Sequence, residues 1–149
     1  MKDNGDYIYP TGKTWIEDSK FNRQQMISAL ARASNISYSN PISAIKSSLN
    51  LYADGISKVG IFVIGDELRI IDGSRPAESF DEIESLNTTL FGKKKARINA
   101  IGFLTGGEEA NKKYNPGYSC KIAFEESNKS FFNFIRELTS RNDGTLVIR

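Results

Sequence analysis

The chain has 149 residues and a mass of 16.6 kDa, enough for one domain that buries roughly two thirds of its unfolded surface. Its formal charge of +2 implies no strong polyelectrolyte partner, and with no histidine, imidazole catalysis and imidazole metal ligation are excluded. One cysteine, Cys120, rules out an internal disulfide and fits a reducing, cytoplasmic setting. No run of about 20 apolar residues and no signal-peptide pattern occurs, so nothing predicts a membrane span or export.

Residues 1–20 read as a polar lead-in followed by two short extended pieces around Pro10-Thr11-Gly12, a hairpin that would bury Tyr7, Tyr9 and Trp15. Phe21, Met26, Ile27, Leu30 and Ala31 have the spacing of an amphipathic helix over Phe21–Ala33. Asn40-Pro41 supplies a cap and a first-turn proline for a second helix, Pro41–Ala53, with Ile42, Ile45, Leu49 and Tyr52 as its stripe. Val59–Ile64 is apolar or small without alternation, which predicts a strand covered on both faces. Asp66 emerges at its carboxyl end, where it either caps the next turn or stands at the edge where open α/β sheets bind ligands.

Leu68–Ile71 extends or flanks the sheet, and a loop rich in Gly, Ser and Pro follows. Ser79-Phe-Asp-Glu82 has capping-box spacing ahead of Ile83, Leu86 and Leu90. The basic run Lys93–Arg97 then reads as a solvated connection rather than a nucleic-acid patch, given the near-neutral net charge. Arg97–Leu104 is a second strand, Thr105–Ser119 a long loop, and a helix starts near Asn128 carrying Phe131, Phe132, Phe134, Ile135 and Leu138. Asn142-Asp143-Gly144 ends that helix, and Thr145–Ile148 is the last strand. Strands alternating with helices predict a small, open, mainly parallel sheet: about three core strands plus the amino-terminal hairpin, flanked by helices in a Rossmann-like three-layer α/β arrangement. The outer edge of the first strand would be bare.

Taken in order, the helix Asn22–Ala33, SYSNPISAI at Ser37–Ile45, VGIFVIGDEL from Val59, INAIGF at Ile98–Phe103 and FFNFIRELTSRNDGTLVI at Phe131–Ile148 resemble the carboxyl-terminal part of a von Willebrand factor A domain. The resemblance runs from about Tyr7 to the end and makes 1–149 a single partial domain of that type. It implies that the three strands stand where the family's fourth, fifth and sixth strands stand. It also implies a metal-ion-dependent adhesion site, with Ser39 where the family has Thr and Asp66 where it has the third-loop Asp. The Asp-x-Ser-x-Ser of the first loop is missing, and Asp72-Gly-Ser74-Arg-Pro76 is the nearest imitation, so this site is incomplete and predicts weak Mg²⁺ binding or none.

The resulting expectation is a non-enzymatic protein-interaction module, without catalytic residues or a cofactor. It would meet a protein partner, or a second copy in a homodimer, through the sheet edge at Val59, Ile61 and Val63, with neither nucleic acid nor membrane as partner. The alternative is a small nucleotide- or phosphate-binding protein or enzyme using the loops after Asp66 and Phe103. Gly102-Phe-Leu-Thr-Gly-Gly107 matches neither the dinucleotide fingerprint nor a Walker A loop, and Asp66-Glu67 is the one adjacent carboxylate pair at a strand end.

Overall fold

A computed structural model describes residues 8–9, 14–32, 41–54, 57–65, 76–103 and 121–149, without the side chains of 76–78 and 121–128. Among these residues the element order is α1 (Lys20–Arg32), α2 (Pro41–Tyr52), β1 (Val59–Gly65), α3 (Pro76–Asn87), β2 (Ala96–Gly102), α4 (Lys121–Arg141) and β3 (Leu146–Ile148). The three strands form one parallel sheet in the order β1-β2-β3. Val59 stands opposite Ala96 and Gly65 opposite Gly102, while Ala100 stands opposite Leu146. The chain is therefore a small open α/β fold.

The order explains where the helices go. Crossovers between parallel strands are right-handed as a rule, and the strands advance in one direction across the sheet, which puts α3 and α4 on the same face, where both join one core. Helix α2 packs beside them, against β1 and α3. The core sits between this helical layer and one sheet face: Ile42, Ile45 and Leu49 of α2, Val63 of β1, Phe80 and Ile83 of α3, Ala96, Ile98 and Ala100 of β2, and Phe131, Phe134, Ile135 and Leu138 of α4. Phe80 and Phe134 stack with ring centroids 5.3 Å apart, tying α3 to α4.

The opposite face differs from the sequence reading. It carries no helix among the described residues, and β1 alternates in burial instead of being covered twice. Phe62 is 64% exposed and Ile64 62% exposed. Two helical layers need a strand order that reverses direction, and β1-β2-β3 never reverses. Helix α1 does not fill the gap: it forms over nearly the expected span, yet none of its residues is buried, and Met26, Ile27 and Leu30 remain exposed. Its start is set by Ser19, whose Oγ accepts a hydrogen bond from the Asn22 N–H at 3.1 Å.

Several boundaries move for local reasons. Helix α3 opens at Pro76, a favoured first-turn residue, so Ser79 lies buried inside the helix rather than capping it. Helix α4 begins at Lys121, a turn and more before Asn128. At its end the left-handed residue is Asp143, with φ 52°, not Gly144. Gly144 is required for another reason: a Cβ there would lie 1.6 Å from the Ile98 carbonyl oxygen. The amino-terminal hairpin, Leu68–Ile71 and Thr105–Ser119 fall wholly or largely outside the described residues, and Thr14–Ser19 lead into α1 without strand structure.

Two buried asparagines complete the frame. The even-numbered residues of β2 aim their backbone groups toward β3: the Ile98 N–H donates to the Asn142 carbonyl at 3.2 Å and the Ala100 N–H to the Thr145 carbonyl at 2.9 Å. Strand β3 reaches back only as far as Ala100. At Ala96 the Asn87 carboxamide takes the place of a strand. Its Oδ1 accepts the Ala96 N–H and its Nδ2 donates to the Ala96 carbonyl, both at 2.8 Å. The same Nδ2 donates to Asn142 Oδ1 at 2.8 Å, and Asn142 Nδ2 donates to the Leu138 carbonyl at 2.8 Å. One side chain thus joins the end of α3, the start of β2 and the end of α4.

Candidate interaction surface

The outer edge of β1 has no partner strand among the described residues. Which residues present it follows from the register. The Phe103 N–H donates to the Gly65 carbonyl at 3.0 Å, so the odd-numbered residues of β1 bond to β2. In a parallel ladder the alternate residues aim their backbone groups the other way. Gly60, Phe62 and Ile64 therefore offer their N–H and C=O groups at the free edge. The same three residues face the open side of the sheet, because side chains alternate with the same period of two.

This places the predicted contact residues differently. Val63 is buried and Val59 and Ile61 pack half-buried against the core, so their side chains face inward. The exposed side chains of the strand are Phe62 and Ile64. Across the sheet Phe62 neighbours Asn99, Ile64 neighbours Ile101, and Ile101 neighbours Val147 of β3. Ile101 is half-buried and Val147 exposed, so an apolar strip crosses the open face beside the free edge. No local signal singles out Phe62 and Ile64: the run is apolar at both parities, and the strand order that leaves one face without helices is a tertiary property.

At the carboxyl edge of the sheet, β1 ends at Gly65 and β2 at Gly102. Ser39 and Asp66 both lie outside the described residues, as do the alternative binding segment from Leu104 onward and Cys120. The donor set they offer does not fit Mg²⁺: one carboxylate and one hydroxyl, without Asp-x-Ser-x-Ser anywhere in the chain, fall short of octahedral oxygen ligation. Among the described residues no group of three or more His, Cys, Asp or Glu side chains could hold a metal ion.

Most ion pairs among the described residues involve the core helices. Arg141 on α4 pairs with Glu137 at 2.6 Å, Asp81 at 2.8 Å and Glu84 at 3.5 Å, and its guanidinium lies 5.5 Å from the centroid of the Phe80 ring. Glu84 also accepts from Lys94 Nζ at 2.9 Å. That hydrogen bond, with the charges of Lys94 and Arg141, holds the Glu84 carboxyl below its ordinary pKa. Glu137 and Asp81 push the Arg141 pKa upward in the same way. These groups are engaged with one another, so the network reads as a clamp between α3, α4 and the β2 approach. No helix among the described residues is long and apolar enough to cross a membrane. Compared with known proteins, the chain matches no family model, no curated protein and no solved structure.

Proposed function

We propose that this chain is a non-enzymatic interaction module that binds protein by adding a strand to the outer edge of β1. The observation that carries the reading is that Gly60, Phe62 and Ile64 turn their backbone groups outward while the side chains of Phe62 and Ile64 are exposed. Strand addition uses both, the backbone for affinity and alternate side chains for specificity. Pairing with a second copy is the simplest case. A two-fold axis sets the two β1 edges antiparallel and joins two three-stranded sheets into one of six strands.

The reading keeps the likeness to a von Willebrand A-type domain as part of the proposal. Three parallel strands in monotonic order, helices on one face and a free edge at the first strand are what one half of a doubly wound sheet has. The missing Asp-x-Ser-x-Ser leaves Ser39 and Asp66 as an incomplete adhesion site, which moves partner binding from a metal to the strand edge. A single cysteine supports a cytoplasmic setting.

The test is solution mass by light scattering, with and without Mg²⁺, for the wild type and for Ile64→Lys. A lysine at 64 replaces an exposed side chain and places charge on the edge, so it separates association from folding. The expected result is a dimer indifferent to Mg²⁺ that becomes monomeric on substitution. A dimer unaffected by Ile64→Lys removes the edge from the interface, and a dimer that forms only with Mg²⁺ returns the function to the metal site.

A further inference from the structure

Between α3 and β2 the chain makes a tight, well-bonded turn whose tip is apolar. The Thr89 N–H donates to the Lys93 carbonyl at 2.8 Å, the Gly92 N–H to the Thr89 carbonyl at 2.9 Å, and the Lys93 N–H to Thr89 Oγ1 at 3.1 Å. Thr88 and Lys94 form an antiparallel bridge below it, and the Lys95 N–H donates to the Asn87 carbonyl at 2.7 Å. Gly92 takes φ 76°, which a glycine adopts without strain. None of these bonds uses the side chains of Leu90 and Phe91. Yet those two residues stand out into water, Phe91 at 91% exposure and Leu90 as fully.

The surroundings are basic. Lys94 is turned back onto Glu84, but Lys93, Lys95 and Arg97 have no ion-pair partner among the described residues. Exposed Lys58 precedes Val59, which stands opposite Ala96, so it joins Lys95 at the amino edge of the sheet. Among the described residues the acidic groups toward this edge are Glu84, held by Lys94 and Arg141, Asp54, hydrogen-bonded to Ser57, and exposed Asp143. The outward cations therefore outnumber the uncommitted carboxylates.

We propose that the turn 88–95 docks this protein onto an anionic membrane surface, with Leu90 and Phe91 entering the lipid interface and Lys93, Lys95, Lys58 and Arg97 facing the head groups. Lipid suits the shape. A protein partner needs about 800 Å² of complementary surface on each side, whereas a two-residue tip on a rigid turn enters a bilayer interface without a matching pocket. Basic residues beside an apolar anchor add electrostatic attraction to anionic leaflets. The net charge of +2 is too small for nucleic acid to be the better partner. The contact is peripheral, at the edge of the sheet opposite Gly65, and does not depend on pairing at β1.

The experiment is co-sedimentation with phosphatidylcholine vesicles, plain or containing about one third phosphatidylserine. Wild type, Leu90→Ser/Phe91→Ser and Lys93→Ala/Lys95→Ala proteins are compared after their melting curves confirm folding, which the exposure of Leu90, Phe91 and Lys93 and the half-burial of Lys95 favour. Binding is expected only to the anionic vesicles, falling at least about tenfold in each double variant and with added salt. In a Trp15→Phe/Phe91→Trp protein the tip emission shifts to the blue on binding. Failure to bind anionic vesicles, equal binding to plain ones, or undiminished binding of the Leu90→Ser/Phe91→Ser protein overturns the proposal. Binding to a single-stranded oligonucleotide that abolishes the vesicle contact and needs the same residues reassigns the patch to nucleic acid.

Discussion

Asn87→Ala removes one exposure-free side chain and leaves three polar groups without their partner. The Ala96 N–H loses Oδ1, and the Ala96 carbonyl and Asn142 Oδ1 lose Nδ2. Asn87 and Asn142 are buried, and the methyl group of alanine reaches none of these atoms. Each buried group left unpaired costs about 1–3 kcal/mol, so the substitution costs at least about 3 kcal/mol, less whatever an entering water restores. Against a total of about 5–15 kcal/mol for a domain, that is a large fraction. Urea unfolding followed by circular dichroism reads it as a lowered midpoint at unchanged slope. Asn87→Asp sharpens the assay. It keeps the acceptor for the Ala96 N–H but points a carboxylate at two oxygens, which raises its pKa in the folded state. Its destabilisation is therefore greatest at neutral pH and shrinks as pH falls through that raised value. A cost below about 1 kcal/mol for Asn87→Ala would refute the view that this carboxamide substitutes for a missing strand.

Gly144→Ala forces a methyl group into the Ile98 carbonyl and is expected to cost at least about 3 kcal/mol, whereas Asp143→Gly relieves a left-handed φ and leaves stability unchanged or raised by about 0.5–1 kcal/mol. Thermal melts of the pair decide it, and the opposite ranking would mean that Gly144 serves as the left-handed cap. Glu84, with its folded pKa held down by Lys94, adds stability that is present above the ordinary glutamate range and lost as pH falls through the depressed value. Glu84→Gln should therefore lessen the decline of the urea midpoint between neutral pH and about pH 3, and an unchanged decline would show that the pair adds nothing measurable in water.

Helix α2 was legible almost to its end, spanning Pro41–Tyr52 where Pro41–Ala53 was expected. Asn40-Pro41 marks its start, and Ile42, Ile45 and Leu49 mark the face that is buried. The strands β1 and β2 and the aromatic face of α4 were equally plain, because apolar runs and helical spacing are local properties. Helix α1 shows the limit: its spacing predicts a helix and a helix forms, but periodicity cannot say whether anything lies opposite the stripe. Which side chains of β1 face the core was not legible for a related reason. A run such as VGIFVIG is apolar at both parities, so it does not tell which half faces the core.

Local sequence sufficed for the alternation of helix and strand and for the parallel sheet, since both follow from hydrophobic periodicity and from the handedness of crossovers. Tertiary structure decided the rest. The monotonic strand order put α3 and α4 on one face, α2 packed beside them, and Phe62 and Ile64 were left on the other. The close approach of α4 to β2 reserved position 144 for glycine, and the short reach of β3 gave Asn87 a strand's work, 55 residues from its partner Asn142. Such roles depend on distances between segments that no local pattern encodes. An asparagine at a helix end looks like a stop signal until the strand beside it is seen to lack a neighbour.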